Sequence, residues 1–274
     1  MAYRTGQTAL QGHPPLVVGH RGNSGSAPEN TAASFARARA AGADMIETDV
    51  RLTADGELFL FHDETGFRTT NVAQVYPLRA GDPITSFTAG ELRQLDCGAY
   101  FDAQYTGEPV LFLADLPEAV GFDLGINLEI KAPASSPGVE QALASMLADH
   151  DDWMRLRETR PVTVSSFDPA AVGKAADCNL QAWQLVDADP DALLLDGLDP
   201  RTAGVVANHL CLTDDGAAAV RAAGLGLWVY TVNAPAHSAK VLALGVDAVI
   251  TDYPENLRTV VGGSREQSLL PLAG

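Results

Sequence analysis

Short apolar runs recur along the chain, and most are followed by a loop, a helix-length stretch and a glycine before the next run begins. Leu16–Gly19, Met45–Val50, Ile126–Ile130, Val162–Ser165, Gly226–Val232 and Asp247–Thr251 have the length and continuous apolar character of strands buried on both faces. Between them, Asn30 fits the N-cap of a helix running to about Ala41 and stopped by Gly42. Ser136 and Pro137 fit the cap and first turn of a helix with Val139, Leu143, Met146 and Leu147 on one face, and Asp168-Pro169 opens another. Gly224 and Gly245 close two more. Ala182–Val186, Ala192–Leu195 and His209–Leu212 are weaker candidates that bring the runs to nine, of which about eight are expected as barrel strands. Strand, helix, glycine, strand is the pattern of a parallel α/β protein, and eight repeats are what a closed (β/α)8 TIM barrel needs.

Residues of about 64–115 break this rhythm. They contain Arg68-Thr69-Thr70, Gly81-Asp82-Pro83 and Cys97-Gly98 and read as a small insertion on the barrel rim. A single domain is therefore expected over 15–258, with terminal tails at 1–14 and 259–274.

The residues that carry charge bound the partners. A formal charge of −17 argues against nucleic acid and anionic membranes, which need a basic surface, although an acidic exterior can hold a small basic pocket for one phosphate. No apolar run approaches a membrane span, and Met1–Gly6 has no charged-then-apolar signal region. Three widely spaced cysteines, Cys97, Cys178 and Cys211, form neither a disulfide framework nor a zinc cluster. The expectation is a soluble cytoplasmic protein without stable membrane association; the oligomeric state is left unassigned.

Ionisable residues cluster on or just after the apolar runs, where they are costly unless they bind something. Glu47 and Asp49 stand two apart on one strand and share a face. Two desolvated carboxylates repel, and a divalent cation resolves this; the rival reading is that one caps a loop or pairs with Arg51. Asp55-Gly56 signals a tight turn. A two-residue turn there would fold 57–63 back on 45–52 and bring His62 opposite Glu47 or Asp49, whereas a three-residue loop would send it to the other face. His20-Arg21 ends the first strand, the end where barrel enzymes place their chemistry, and the Arg21 fork suits a phosphate. Glu129 and Lys131 repeat the i, i+2 geometry, with a structural Glu–Lys bridge as the rival. Three carboxylates, two histidines and two fixed cations suit phosphoryl transfer. His-x-His, Gly-x-Ser-x-Gly, a Walker loop and Gly-x-Gly-x-x-Gly are all absent.

With these residues in place the chain resembles the glycerophosphodiester phosphodiesterase family. The matching pieces are His20-Arg21-Gly22, Pro28-Glu29-Asn30-Thr31, Glu47-Thr48-Asp49-Val50, His62-Asp63 and Arg68-Thr69-Thr70. Leu128-Glu129-Ile130-Lys131, Ser165-Ser166-Phe167-Asp168, Thr231-Val232-Asn233 and Thr251-Asp252-Tyr253-Pro254 follow in the family's order. The resemblance implies a TIM barrel of the phospholipase-C-like phosphodiesterase type with a small insertion. It implies one divalent cation, Mg2+ or Ca2+, on Glu47, Asp49 and Glu129; acid–base work by His20 and His62; and phosphate contacts from Arg21 and Lys131. The implied reaction is hydrolysis of a glycerophosphodiester to sn-glycerol 3-phosphate and an alcohol.

Two departures from the pattern stand out. Tyr230 replaces the tryptophan often found before Thr-Val-Asn, with Trp228 earlier on the same strand face, so both are candidate substrate contacts. Val110-Leu111-Phe112 replaces Pro-Thr-Leu at another expected edge of the pocket. Rival activities are a lysophospholipase D or a phospholipase-C-like enzyme on a lipid phosphodiester, and, more remotely, a non-catalytic phosphodiester-binding barrel.

Overall fold

The computed structural model describes residues 14–262. Its strands are β1 (Leu16–His20), β2 (Met45–Leu52), β3 (Leu58–Leu60), β4 (Gly125–Ile130), β5 (Val162–Ser166), β6 (Ala182–Val186), β7 (Gly204–Asn208), β8 (Gly226–Tyr230) and β9 (Ala248–Thr251). β1 pairs in parallel with β9 on one side and β2 on the other, which closes β1, β2 and β4–β9 into an eight-stranded parallel barrel. β3 is an extra strand, antiparallel to the last residues of β2.

Apolar residues of the barrel wall meet the helices in two clusters. One contains Phe35, Ile46, Leu128, Leu143 and Trp153, and the other Val17, Val205, Val220, Val229 and Val249. Inside the barrel, Val18, Met45, Trp183, Val206, Trp228 and Ile250 fill the space beneath the mouth. Trp183 and Trp228 stack with ring centroids 4.5 Å apart. Gly204 and Gly226 make room for them, because a Cβ at either position would collide with the Trp183 ring.

Several local expectations are corrected. The helix Ala32–Ala40 is capped by Thr31, whose hydroxyl accepts from the Ser34 amide; Asn30 is buried in a left-handed conformation instead. The helix Val139–Asp149 is capped by Gly138, and Ser136 Oγ accepts a hydrogen bond from the Leu52 amide. Ala192–Leu195 lies in a short helix, Ala192–Asp196, because the Asp191 side chain accepts from the Leu194 amide and caps it. His209–Leu212 is not a strand: the Cys211 and Leu212 amides both turn back onto the Asn208 carbonyl, and the strand is the preceding Gly204–Asn208. At the C-terminal end the helix Pro254–Val261 runs past residue 259, where the tail was expected; residues 1–13 and 263–274 lie outside the described residues.

The Asp55-Gly56 hairpin has a three-residue loop, Ala54-Asp55-Gly56, closed by Thr53 and Glu57, with Gly56 at φ +87°. Val50 therefore faces Leu60, and continuing that register would set His62 level with Thr48, not Glu47 or Asp49. The ladder ends first. After the Phe61 amide bonds the Asp49 carbonyl at 3.0 Å the chain leaves the sheet, free of its alternation. The excursion that follows has its own apolar cluster, including Phe59, Phe61, Val72, Ile84, Phe87, Leu92, Cys97 and Phe112, while Leu113, Leu116 and Val120 rejoin the barrel wall.

Candidate active site

β1, β2, β4, β5, β6, β8 and β9, with the segment after β3, supply the site. β2 and β4 run in register with Asp49 beside Glu129, so Glu47, Asp49 and Glu129 all point inward near the mouth. They are 3 %, 0 % and 8 % exposed, and one oxygen from each lies within 4.8 Å of the others. Asn30 turns its left-handed backbone (φ +56°) toward this group; its Nδ2 donates to Asp49 Oδ2 at 2.9 Å and its Oδ1 accepts from Thr48 at 2.7 Å. Arg51 does not pair with either carboxylate of β2, because its guanidinium donates to the Phe61 and His62 carbonyls and holds that segment against the barrel.

The carboxylates do not titrate alike. Burial pushes Asp49 up, but Arg21 (Nε 3.3 Å away) and Lys131 (Nζ 3.6 Å away) outweigh it and hold the group down at about 2. Burial, then Asp49 and Glu129, push Glu47 well above the carboxylate range. Burial and Asp49 push Glu129 up to about 7, although Lys131 Nζ is only 2.7 Å from its Oε1. The Glu–Lys bridge weighed as a rival is thus present. Glu47 Oε1 and Asp49 Oδ1 are nevertheless buried without a hydrogen-bond donor. Acceptors left in that state are costly, and an all-oxygen set of this size is the donor chemistry of Mg2+ or Ca2+. These residues fit a divalent cation.

Two histidines flank the carboxylates, each bound at Nδ1 to an aspartate. His20 ends β1, with Nδ1 2.6 Å from Asp252 Oδ1 and Nε2 3.9 Å from Glu47 Oε2. Ser24 and Asn233 donate to Asp252 at 3.0 and 2.6 Å, and with His20 they hold its carboxyl below the usual range against the opposing effect of burial. His62 Nδ1 lies 2.6 Å from Asp63 Oδ1. Burial lowers the His62 pKa more than Asp49 raises it, so the ring is neutral near pH 7. In both rings a carboxylate at Nδ1 selects the Nδ1–H tautomer and leaves Nε2 to exchange protons.

Arg21 follows β1 at φ +51°; its amide donates to Glu47 Oε2 at 3.1 Å and its Nη1 to Glu29 Oε1 at 2.8 Å. Gly22 permits this turn, since a Cβ there would run into Ser34. The cavity of about 240 Å³ at the mouth is walled by His20, Arg21, Glu47, His62, Glu129 and Lys131 on its polar side. Phe167, Leu185, Tyr230 and Ile250 are its apolar lining. The Tyr230 hydroxyl donates to the Val186 carbonyl, so the tyrosine presents its ring. Trp228, expected beside it, lies deeper against Trp183 and is not part of this lining; two residues earlier on the strand is one layer down inside the barrel. Phe112 packs on Phe59 under the excursion and does not reach the cavity. Asp252, Asp63, Arg68 and Glu29 received no role from the sequence, although all four lie in quoted motifs.

Such a mouth can hold a phosphate group and a divalent cation while two imidazoles exchange protons beside them. The sequence profile of the Glycerophosphoryl diester phosphodiesterase family matches residues 20–256. A glycerophosphodiester phosphodiesterase of Bacillus subtilis is 30 % identical over 90 % of this chain and 87 % of its own length. One from Caldanaerobacter subterraneus is 31 % identical over 90 % and 97 %. Among solved structures, an Oleispira antarctica phosphodiesterase in complex with the product sn-glycerol-3-phosphate superposes with a TM-score of 0.80 at 30 % identity, covering 90 % of this chain and 97 % of that one. The chain belongs to the glycerophosphoryl diester phosphodiesterase family.

Proposed function

We propose that the protein hydrolyses glycerophosphodiesters to sn-glycerol 3-phosphate and an alcohol, with His20 and His62 as the proton-transfer pair. The observation that carries this reading is the meeting of three buried carboxylates from β2 and β4 between two histidine–aspartate pairs at one barrel mouth. Family membership and the likeness to a product-bound phosphodiesterase support it.

A divalent cation, Mg2+ or Ca2+, held by Glu47, Asp49 and Glu129 would supply positive charge to the phosphate oxygens and the adjacent glycerol hydroxyl. Arg21 and Lys131 orient the phosphate and offset its charge. One imidazole accepts the proton of the glycerol hydroxyl at Nε2 as that oxygen attacks phosphorus. The other, entering the step as an imidazolium with protons on both nitrogens, donates its Nε2 proton to the departing alcohol oxygen as the P–O bond breaks. Water then opens the cyclic phosphate by the reverse proton transfers. Tyr230 and Phe167 exclude water from one side of the mouth.

Phe67 and Leu78, 57 % and 99 % exposed on the excursion, favour a second reading in which the diester carries one acyl chain, a lysophospholipase D reaction. Glycerol 3-phosphate release from glycerophosphocholine, glycerophosphoethanolamine and glycerophosphoinositol, beside lysophosphatidic acid release from lyso-lipids, separates the two. EDTA should abolish turnover, and Mg2+ or Ca2+ should restore it. Binding of the diesters without turnover in either cation would leave only a phosphodiester-binding barrel. The acidic surface and the absence of a membrane-length apolar helix among the described residues fit a cytoplasmic site of action without nucleic-acid partners.

A further inference from the structure

Arg68 stands outside the cavity wall, on the turn that opens the excursion, and its guanidinium grips two carboxylates at once. Nε and Nη2 donate to Asp63 Oδ2 and Oδ1 at 2.6 and 2.8 Å. Nη1 and Nη2 donate to Glu29 Oε2 and Oε1 at 2.6 and 2.8 Å. Each carboxylate has a second partner that faces the cavity. Asp63 Oδ1 meets His62 Nδ1 at 2.6 Å, and Glu29 Oε1 accepts from Arg21 Nη1 at 2.8 Å. The contacts run without a gap from His62 through Asp63, Arg68 and Glu29 to Arg21.

The backbone explains why such a link is useful. His62 lies beyond the end of β3, and Arg21 follows β1 in a left-handed turn, so strand geometry sets neither side chain, and Arg21 has only its Nε contact with Asp49 at 3.3 Å to tie it to the sheet. The turn carrying Arg68 is firm. The Thr70 amide and hydroxyl both donate to the Gly66 carbonyl, and a Cβ at Gly66 would meet Thr70 Oγ1 at 2.8 Å. A half-exposed ion pair adds little to stability by itself. Two planar carboxylates held by one fork, however, fix direction as well as charge, which a lysine ammonium cannot do.

We propose that Arg68 is a positioning residue: through Asp63 it sets the ring of His62, and through Glu29 it aims Arg21, so one guanidinium aligns a proton-transfer group with a phosphate-binding cation. The proposal rests on the phosphodiesterase reading above. Arg68→Ala should lower kcat roughly 30- to 300-fold and raise KM several-fold. Arg68→Lys should recover no more than roughly a tenth of wild-type kcat/KM, while added guanidinium should partly rescue Arg68→Ala. The two arms should separate: Asp63→Asn should act mainly on kcat and Glu29→Gln mainly on KM. Combining Arg68→Ala with Asp63→Asn should cost little more than the worse single change, whereas combining it with Asp252→Asn should multiply the losses.

Two results would overturn it. One is Arg68→Ala within threefold of an active wild type in both constants; the other is full recovery by Arg68→Lys without coupling to Asp63. If Arg68→Ala loses its circular-dichroism signature, the Lys and Glu29→Gln variants carry the same comparison. A wild type inactive on every diester sinks the phosphodiesterase reading instead, and Arg68 is then judged by NMR of the His62 ring. Its Nδ1 proton should be displaced in Arg68→Ala, and an unchanged resonance overturns the proposal.

Discussion

Asp252 Oδ1 sits 2.6 Å from His20 Nδ1, although 232 residues separate the two along the chain. Closure of the barrel makes the contact, since β9 pairs with β1 and the residue after β9 therefore lands beside the end of β1. Asp252→Asn keeps the shape but offers an amide donor to Nδ1. The ring would then carry its proton on Nε2 and could no longer accept one there. Turnover should fall roughly 10²- to 10⁴-fold with an unchanged circular-dichroism spectrum. A loss below threefold would remove His20 from proton transfer.

Cation binding should become tighter as pH rises. Glu47 lies well above the carboxylate range and Glu129 at about 7, so the folded chain retains protons there that the unfolded chain has released. A raised carboxyl contributes stability in full below its unfolded pKa and loses it as pH climbs through the folded one. A divalent cation needs both groups ionised and so replaces the protons. The rise in melting temperature with Mg2+ or Ca2+ should therefore be larger at pH ~8 than at pH ~6, and calorimetry near neutrality should detect proton release. Asp49, held at about 2, has the opposite sign and loses its contribution only in strong acid, outside this window. Equal melting shifts at both pH values would mean that the cation binds elsewhere.

Parallel strands buried on both faces leave a plain mark in sequence, which is why Leu16–Gly19, Met45–Val50 and Ile126–Ile130 read directly. Ala192–Leu195 misleads for the same reason. Four successive apolar residues show no period, and only Asp191 at the N-cap distinguishes the helix from a strand. Glu47, Asp49 and Glu129 were legible as candidates because i, i+2 spacing puts Glu47 with Asp49, and Glu129 with Lys131, on one strand face; their grouping around one ion came from the family resemblance. The partners of the histidines were not. The His20–Asp252 contact depends on barrel closure, and the Arg68 link depends on how the excursion folds back against the loop after β1, neither of which has a local pattern.

Asn30 was read as a helix cap and is instead a brace inside the site. Its side chain bonds Asp49 and Thr48, all three buried, while its backbone is left-handed. Asn30→Ala should cost about 1–3 kcal/mol in urea unfolding, because two buried groups lose a partner. Asn30→Gly relieves the backbone but restores neither hydrogen bond, so it should remain destabilised and equally impaired in turnover. A glycine variant of wild-type stability would assign the whole effect to backbone conformation.

Cys97 tests whether the excursion is packed as tightly as the barrel. It is buried among Phe59, Leu92 and Phe112, and burial pushes its thiol far above the ordinary range, so little reactive thiolate forms. Cys178 and Cys211 are partly exposed. A thiol reagent should therefore label Cys178 and Cys211 promptly in the native protein, and Cys97 only at the rate at which the excursion opens. That rate should fall if a bound diester and cation, by ordering Arg21 and His62, strengthen the Arg68–Glu29 contact, because the excursion could then part less readily from the loop after β1. Mass spectrometry of the labelled peptides reads all three sites together. Cys97 labelled as fast as Cys211 would mean that the excursion's apolar cluster does not protect its own interior.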